Sequence, residues 1–266
     1  MKAIFIFLSI IILFVSCEDV IEVELKDMEP ILVIEGVIND VDNQCQILLS
    51  KTNDYFSQTP NPKVSEAVIT LTENTGTTVN FNETEPGVYL QDIILGNQNT
   101  SYSLNVLSEG IEYTANATIP EKVNIDSLSY EYNPESILYE EGWVVTCHFQ
   151  DPIEFTNFYR FKAYNINDTT KARDSQDIYD DVINNGKIVE LPWGYESFQP
   201  LDTVVVELYT LDEATYDYYK TLFPISGEGS IMSITTPANP VTNINNNALG
   251  YFGAYTISRD TIIINQ

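Results

Sequence analysis

YSLNVLSEGIEYTANATI, residues Tyr102–Ile119, is the stretch that decides the fold class. Apolar residues occupy every second position on both sides of the turn signal Ser108-Glu109-Gly110, at Tyr102, Leu104, Val106, Tyr113, Ala115, Ala117 and Ile119. A period of two residues is typical of β-strands that bury one face and expose the other. The stretch therefore predicts two strands, joined by a turn, that contribute one face to a buried core.

The same pattern extends toward the N-terminus as a series of short strands at close spacing. Apolar or alternating segments lie at Ile31–Ile38, Cys45–Ser50, Ala67–Leu71, Thr77–Phe81 and Val88–Leu90. No segment between residues 31 and 119 repeats with the period of a helix. About seven short strands in about 90 residues predict an immunoglobulin- or transthyretin-like β-sandwich over residues 31–120.

The chain beyond Pro120-Glu121-Lys122 predicts a second β-rich domain, residues 121–266. Within Phe158–Tyr164, alternation places Arg160 and Lys162 on the outward face. The polar segment Asn165–Asn185 predicts a long loop. Further strands are predicted at Ile125–Tyr130, Trp143–Phe149, Lys187–Leu191, Thr203–Tyr209, Leu249–Ile257 and Thr261–Asn265. The predicted fold class is thus mainly β.

One helix interrupts the strands of the second half. Apolar residues recur at spacings of three and four over Leu211–Phe223, which indicates one buried helical face. Thr210 and Glu213 have the spacing of a capping box, with the threonine as the N-cap residue. Pro224 is predicted to end the helix.

The first residues of the chain have the pattern of an export signal. Met1-Lys2 is basic, Ala3–Val15 is almost wholly apolar, and a small residue, Ser16, precedes Cys17. The apolar run is shorter than the roughly 20 residues that a membrane span needs. The pattern predicts a lipoprotein signal peptide over residues 1–16, with Cys17 as the acylated first residue of the mature protein. Ordinary secretion with an incidental Cys17 is the alternative. Residues 17–30 are predicted to form an acidic tether, in which Val20–Leu25 could add an edge strand.

The charge of the chain restricts its partners. The formal net charge is -27, from 12 basic and 39 acidic residues. Such a surface repels nucleic acid and anionic membrane patches, so a nucleic-acid partner is excluded. Solubility alone explains the charge, and attraction of cations or basic partners is the alternative. Cys45 and Cys147 alternate with apolar residues, so both are predicted as buried hydrophobes in different domains rather than as a disulfide.

Several segments together resemble a known family. They are Leu32–Gly36, Ala67–Leu71, Gly87–Tyr89, Tyr102–Val106, Tyr113–Ala115, Asn157–Phe161, Tyr216–Tyr219, Asn243-Ile244 and Leu249–Phe252. In this order they resemble a family of Bacteroidetes-type outer-membrane lipoproteins known only as a domain of unknown function. The resemblance covers about Pro30 to Ile257, and the first half is also similar to transthyretin-like modules of the carboxypeptidase-regulatory type.

The resemblance implies a location and a partner but no site residues. Members of the family often accompany TonB-dependent outer-membrane receptors, which implies an accessory role. Glu18-Asp19, directly after the cysteine, resembles a surface-export signal and implies the cell surface rather than the periplasmic face. The family carries no established catalytic or binding residue that could be transferred to this chain.

Few residues predict catalysis. His148 is the single histidine, and its strand neighbour Cys147 points to the opposite face, so the two cannot form a nucleophile–base pair. No Gly-x-Ser-x-Gly motif is present, and one histidine with two separated cysteines does not make a zinc site. A glycosidase needs two carboxyl groups at a set separation, which a sequence with 39 acids does not identify. The chain is therefore predicted not to be an enzyme.

Two segments are candidates for ligand binding. Asp174, Asp177, Asp180 and Asp181 form the densest group of oxygen ligands, which suits calcium, with a solvated acidic loop as the alternative. Trp193, Tyr195 and Phe198 lie on a loop bounded by proline and glycine, where rings can stack on a sugar or hold an apolar ligand. The alternative is that these rings fold back and close the end of a sandwich.

The sequence therefore supports three functional hypotheses. The first is a lipid-anchored accessory or ligand-binding protein linked to outer-membrane uptake, with no cofactor beyond the acyl lipid on Cys17. The second is a structural or adhesive surface module. The third is a glycan-directed hydrolase.

Overall fold

The structure is a computed structural model. It describes residues 29–42, 44–53, 57, 59–92, 96–134, 141–168, 178–194, 197–226 and 239–265. The predicted signal peptide, Cys17, most of the tether, Asp174, Asp177 and Tyr195 lie outside these ranges. Within them, no helix has both the length and the apolar character that crossing a membrane requires.

The described residues form strands with one helix, which confirms the predicted mainly β class. The first eight strands are β1 (Leu32–Asn39), β2 (Gln44–Lys51), β3 (Val68–Glu73), β4 (Thr78–Asn80), β5 (Asn82–Glu85), β6 (Val88–Asp92), β7 (Ser101–Ser108) and β8 (Ile111–Thr118). The others are β9 (Ser127–Asn133), β10 (Gly142–Gln150), β11 (Phe158–Asn165), β12 (Ile178–Asp180), β13 (Ile188–Pro192), β14 (Thr203–Leu211), α1 (Glu213–Ser226) and β15 (Leu249–Ile263). Strand β12 lies inside the segment that was predicted as a long loop.

The strands form one large sheet and two small ones. The large sheet has eight strands in the order β12-β11-β14-β15-β1-β2-β6-β5. A four-stranded sheet, β4-β3-β7-β8, and a three-stranded sheet, β13-β10-β9, complete the fold. One hydrophobic core joins the four-stranded sheet to the first half of the large sheet, and a second core joins the three-stranded sheet to the other half. We call the part of the fold around the first core the first half, and the part around the second core the second half.

Alternation places the buried side chains as predicted. In β7 and β8 the inward residues are buried in the first core. In β11 the inward residues Tyr159, Phe161 and Ala163 are buried in the second core, and Arg160 and Lys162 lie on the opposite face. Cys45 and Cys147 are free thiols in different cores, and burial raises the pKa of each thiol to about 12.

Strand β15 belongs to both halves. Its first part pairs in parallel with β1, from Val33 opposite Leu249 to Asn39 opposite Tyr255. Its last part pairs antiparallel with β14. The sequence predicted two strands here, whereas the structure has one continuous strand of 15 residues. The large sheet thus contains residues from both sides of the predicted division near residue 120, and the domain limits stay a prediction.

Two glycines of β15 permit this arrangement. Gly250 has a φ of 88°, and a Cβ atom at this position would lie 2.0 Å from the carbonyl oxygen of Ile34 in β1. A Cβ atom on Gly253 would lie 2.0 Å from the hydroxyl oxygen of Thr215 in α1. The first glycine allows β1 to approach, and the second allows α1 to pack on the other face of the sheet.

Side chains of an asparagine-rich loop close the edge of the four-stranded sheet. The Oδ1 atom of Asn245 accepts a hydrogen bond of 2.7 Å from the Thr114 amide, and the Asn245 amide donates to the Thr114 carbonyl. Asn246 and Asn243 donate from their side-chain amides to the carbonyls of Glu112 and Asn116. The loop therefore satisfies backbone groups of edge strand β8 that would otherwise need water or another strand.

The helix is present, but its limits differ from the prediction. Leu211 ends β14, and Thr210 is a buried strand residue, so neither belongs to the helix. Asp212 is the N-cap residue, because its Oδ1 atom accepts a hydrogen bond of 3.0 Å from the Thr215 amide. Pro224 lies inside the last turn, and the helix continues to Ser226.

Candidate binding surface

The outer face of the second half is the face of the large sheet that carries α1. Cross-strand register brings Arg160, Tyr209 and Ile257 side by side on this face. Two residues further along each strand, Lys162 is opposite Glu207, and Glu207 is opposite Arg259. Because side chains alternate along a strand, the core residues between them point to the opposite face. Polar and aromatic side chains therefore collect where three neighbouring strands and the helix meet.

Five half-buried side chains form what we call the tyrosine–arginine surface: Arg160, Tyr209, Tyr219, Phe223 and Tyr255. The guanidinium carbon of Arg160 lies 5.1 Å from the ring centre of Tyr219 and 6.0 Å from those of Tyr209 and Phe223. The rings of Tyr219 and Phe223 are stacked with centroids 5.0 Å apart. The rings of Tyr209 and Tyr255 meet edge to face at 5.3 Å. Cation–π contacts thus join the strand arginine to rings from both the sheet and the helix.

Tyr218 and Tyr251 support this surface from beneath. Their rings are stacked with centroids 4.1 Å apart, and both are buried between α1 and β15. The hydroxyl groups of Tyr219 and Tyr251 are 2.9 Å apart and share a hydrogen bond. Burial raises the pKa of Tyr218 and of Tyr255 to about 12 and also raises the pKa of Tyr251 and of Tyr209. These tyrosines therefore remain neutral hydrogen-bonding groups at any physiological pH.

A buried carboxylate organises the charged residues beside the surface. The Glu207 side chain is only 5% exposed, and its Oε1 atom accepts hydrogen bonds of 2.9 and 2.5 Å from the guanidinium of Arg259. The same oxygen accepts from the Tyr164 hydroxyl, and the Oε2 atom accepts from the Tyr209 hydroxyl at 2.6 Å. Burial by itself would raise the pKa of Glu207, but the hydrogen bonds from Tyr209 and Arg259 outweigh it and lower the pKa.

The composition of this surface suits recognition. Arginine, tyrosine and phenylalanine are enriched in the centres of protein interfaces, where each buries a large area with little loss of side-chain freedom. The surface rests on a sheet and a helix, so its side chains are held in place by packed elements.

Two residues of the predicted aromatic loop, Trp193 and Phe198, are part of the second core. Trp193 and Phe198 are 1% and 2% exposed, and the Trp193 ring meets Phe161 edge to face at 5.5 Å. The loop backbone continues to pair with β10, because the Trp193 amide donates to the Val145 carbonyl and the Phe198 amide donates to the Trp143 carbonyl. This pairing turns both rings inward, as the alternative role of closing the sandwich requires. Enclosed rings have no free face to offer a sugar.

The two predicted calcium ligands that the structure describes have different protein partners. Asp180 accepts a hydrogen bond of 2.9 Å from the Tyr216 hydroxyl, whereas the Asp181 carboxylate is buried and accepts one of 2.9 Å from the Asn157 amide. Both carboxylates thus serve as acceptors for protein donors. Among the described residues, no group of three or more histidines, cysteines, aspartates or glutamates is placed to hold a metal ion.

His148 has two partners that the sequence did not suggest. Its Nε2 atom lies 2.7 Å from the Ser129 hydroxyl oxygen, and its Nδ1 atom lies 3.5 Å from a Glu190 carboxylate oxygen. The three residues are on neighbouring strands of the outer, solvent-facing side of the three-stranded sheet. This connectivity is that of an acyl-transfer triad, but the amides of the central strand β10 are engaged in pairing with both neighbours. These amides are therefore not available to a developing oxyanion, whereas Ser129 lies on the edge strand β9.

Sequence reasoning did not find most of the tyrosine–arginine surface. The alternation of β11 placed Arg160 outward, but nothing in the local pattern showed which rings would surround it. Tyr219 and Phe223 are four residues apart on α1, a spacing that places them on one helix face. That spacing, combined with an outward arginine on a strand, was the available signal.

The chain belongs to the family described as domain of unknown function DUF4249, whose model matches residues 18–261. No curated protein matches the sequence.

Two solved structures show distant likeness. Chicken CNTN1 FN1-FN3 domains are 11% identical, with 90% of this chain and 67% of that chain covered and a TM-score of 0.27. Salmonella alpha-2-macroglobulin mutant Y1175G is 10% identical, with 75% of this chain and 15% of that chain covered and a TM-score of 0.24. Neither likeness is close enough to carry an argument about function.

Proposed function

We propose that this member of the DUF4249 family is a lipid-anchored cell-envelope accessory protein that binds a partner through the tyrosine–arginine surface. The observation that supports this role is the half-buried contact of Arg160 with Tyr209, Tyr219 and Phe223 on the outer face of the large sheet. An arginine held among aromatic rings is typical of residues that dominate binding energy in interfaces. The role is one of recognition rather than catalysis.

The proposed location rests on the start of the sequence. The basic start, the apolar core and the small residue before Cys17 favour acylation of that cysteine. The acids Glu18-Asp19 favour the cell surface, and the proposed partner is a TonB-dependent outer-membrane receptor. A bacterial lipoprotein carries several acyl chains, which supports firm anchoring.

Substitution of Cys17 tests the anchor. Cys17→Ala should release the protein from washed envelopes into the soluble fraction or leave it unprocessed, and mass spectrometry should find acyl groups on residue 17 of the native protein. Retention of the variant in the membrane to the native extent would contradict the anchor.

Co-purification tests recognition. The native protein, solubilised from envelopes, should retain an outer-membrane receptor, and Arg160→Ala combined with Tyr219→Ala should reduce that retention at least about tenfold. The matched control is Lys63→Ala combined with Tyr132→Ala, both exposed side chains away from the surface, which should leave retention unchanged. Equal retention of the receptor by both double variants would contradict the proposal.

A structural or adhesive surface module is the second candidate. The observation that favours it is the continuous eight-stranded sheet, which joins both sandwich halves through β15. A deletion that alters surface attachment while nutrient uptake stays normal would favour this candidate over the first.

A further inference from the structure

Basic residues are scarce in this chain, and half of those described lie on or beside one face. The described basic residues are Lys51, Lys63, Lys122, Arg160, Lys162, Lys187, Lys220 and Arg259. Arg160, Lys162 and Arg259 share the outer face of the second half, and Lys220 of α1 lies 5.1 Å from the ring centre of Tyr216. In a chain with a net charge of -27, this face gathers four cations, next to acids that include Glu207 of β14 and Asp180 of β12.

The acid in the middle of these cations does not present its charge to solvent. Glu207 lies between Lys162 and Arg259 in the register, but its carboxylate is buried and engaged with Arg259, Tyr164 and Tyr209. Arg259 has a side chain that is 57% exposed despite this ion pair. The cations therefore share the outer face with a carboxylate that is itself buried.

The spacing of the cations matches an extended polypeptide. Arg160 and Lys162 are two residues apart on one strand, so their Cα atoms are about 7 Å apart on the same face. Carboxylates at alternate positions of an extended partner segment have the same repeat of about 7 Å. A guanidinium also pairs with a carboxylate through two parallel hydrogen bonds, which adds direction to the charge attraction.

The rings of the surface argue for a polypeptide over a stacked sugar. Tyr219 is stacked on Phe223 and covered by Arg160, and Tyr209 lies under Arg160 and meets Tyr255 edge to face. Their faces are used within the surface, and tyrosine with arginine is the composition of protein interface centres. We infer, on the basis of the proposed function, that the partner binds Arg160 and Lys162 through an extended acidic polypeptide segment. The carboxylates of this segment lie at alternate positions.

Defined peptides and the purified full-length chain test this inference. The probe is an acetylated and amidated peptide of about eight residues in which threonine and glutamate alternate, followed by fluorescence anisotropy. Binding should weaken with added salt, and R160Q/K162Q should reduce the affinity at least about tenfold. K63Q/K187Q removes the same number of charges elsewhere and should change the affinity less than about twofold.

Three further measurements make every outcome decisive. A peptide with glutamine for glutamate, or with the glutamates grouped at one end, should bind at least about tenfold more weakly. R160K keeps the charge but loses the paired hydrogen bonds, so its affinity should fall between those of the native chain and R160Q/K162Q. It also reports on the site if the double variant fails to fold.

Several results would overturn the inference. They are equal binding by R160Q/K162Q and the native chain, equal binding of the glutamine peptide, and binding of a short oligogalacturonate through Arg160 and Lys162 without binding of the peptide. The last result would assign the surface to an anionic sugar. If the surface variants lost receptor retention but the native chain bound no peptide, this inference would be overturned and the proposed function would still be supported.

Discussion

In the first half of the large sheet, the outer face mixes half-buried aliphatic side chains, such as Val33 and Leu48, with polar ones, such as Glu35 and Gln46. In the second half, arginine, glutamate and tyrosine side chains on the outer face are joined by hydrogen bonds and cation–π contacts. The inner faces of both halves are alike, because each buries an apolar core against a small sheet. Core formation accounts for the inner faces of both halves. The second half differs in this connected network, and our proposed function places recognition there for that reason.

Core truncation in each half is the strongest way to break this comparison. Phe252→Ala in the first core and Phe161→Ala in the second should each lower the free energy of unfolding by about 3–5 kcal/mol. Because β15 runs through both halves, each variant should shift one common transition in chemical denaturation followed by circular dichroism. Two separate transitions, with only one displaced by each variant, would show that the halves are energetically independent.

Gly250→Ala should separate the halves at their junction. The new Cβ atom would lie 2.0 Å from the Ile34 carbonyl oxygen at a φ of 88°, so β1 must move away from β15. We expect a loss of about 3 kcal/mol in the free energy of unfolding. Gly76→Ala is the control, because Gly76 also has positive φ but no atom within 4 Å of its added Cβ, so about 1 kcal/mol is expected. Equal losses for both variants would mean that the close approach to β1 is unimportant.

Glu207→Gln tests the polar network of the second half. The folded-state pKa of Glu207 is below its unfolded value, so its contribution is present above the unfolded pKa and is lost as pH falls through the folded pKa. The variant should lose about 1–3 kcal/mol near neutral pH and less in acid, so the stability curves of variant and native protein should converge there. Urea denaturation across the acid range measures this.

Glu190→Gln, an exposed glutamate outside the network, is the control and should leave stability near neutral pH unchanged within about 0.5 kcal/mol. A constant difference between Glu207→Gln and the native protein at every pH would contradict the assigned role of the carboxylate.

Asn245→Ala should have the smallest effect, because it removes one side-chain acceptor at the edge of the first half. The Thr114 amide would lose its partner of 2.7 Å, and about 1 kcal/mol is expected because water can replace it. Asn245→Asp keeps an acceptor oxygen at the same position and should retain most of the stability. Faster amide hydrogen exchange at Thr114 in the alanine variant alone would confirm the closure of the edge.

Local patterns predicted much of the fold because the core demands them. A strand with one buried face must alternate, so β7, β8 and β11 could be read residue by residue. The order of the strands in the sheet could not be predicted in this way, because alternation does not identify the neighbouring strand. The parallel pairing of β1 with β15 depends on a glycine at position 250 that only tertiary structure explains. The helix N-cap shifted from Thr210 to Asp212 because β14 extends through Leu211 and pairs there with both β11 and β15.

The tyrosine–arginine surface was less predictable from the sequence than the core. The period alone placed Arg160 and Lys162 outward, but the contact of Arg160 with the helix rings depends on α1 docking over Gly253. The sequence indicated Trp193 and Phe198 as candidate ligand-binding residues because they are aromatic residues on a predicted loop. The amides of both residues instead pair with β10, which turns their rings into the core. Composition alone does not reveal this direction.

The pairing of Val33 with Leu249 has a consequence for the order of folding. A chain that emerges from its N-terminus first has β1 available long before its neighbour β15 exists. The first hydrophobic core also lacks Phe252 and Ala254 until nearly the whole chain has emerged. Native contacts between such distant segments form slowly, since a long loop must close first. The first core therefore stays incomplete until β15 has been synthesised.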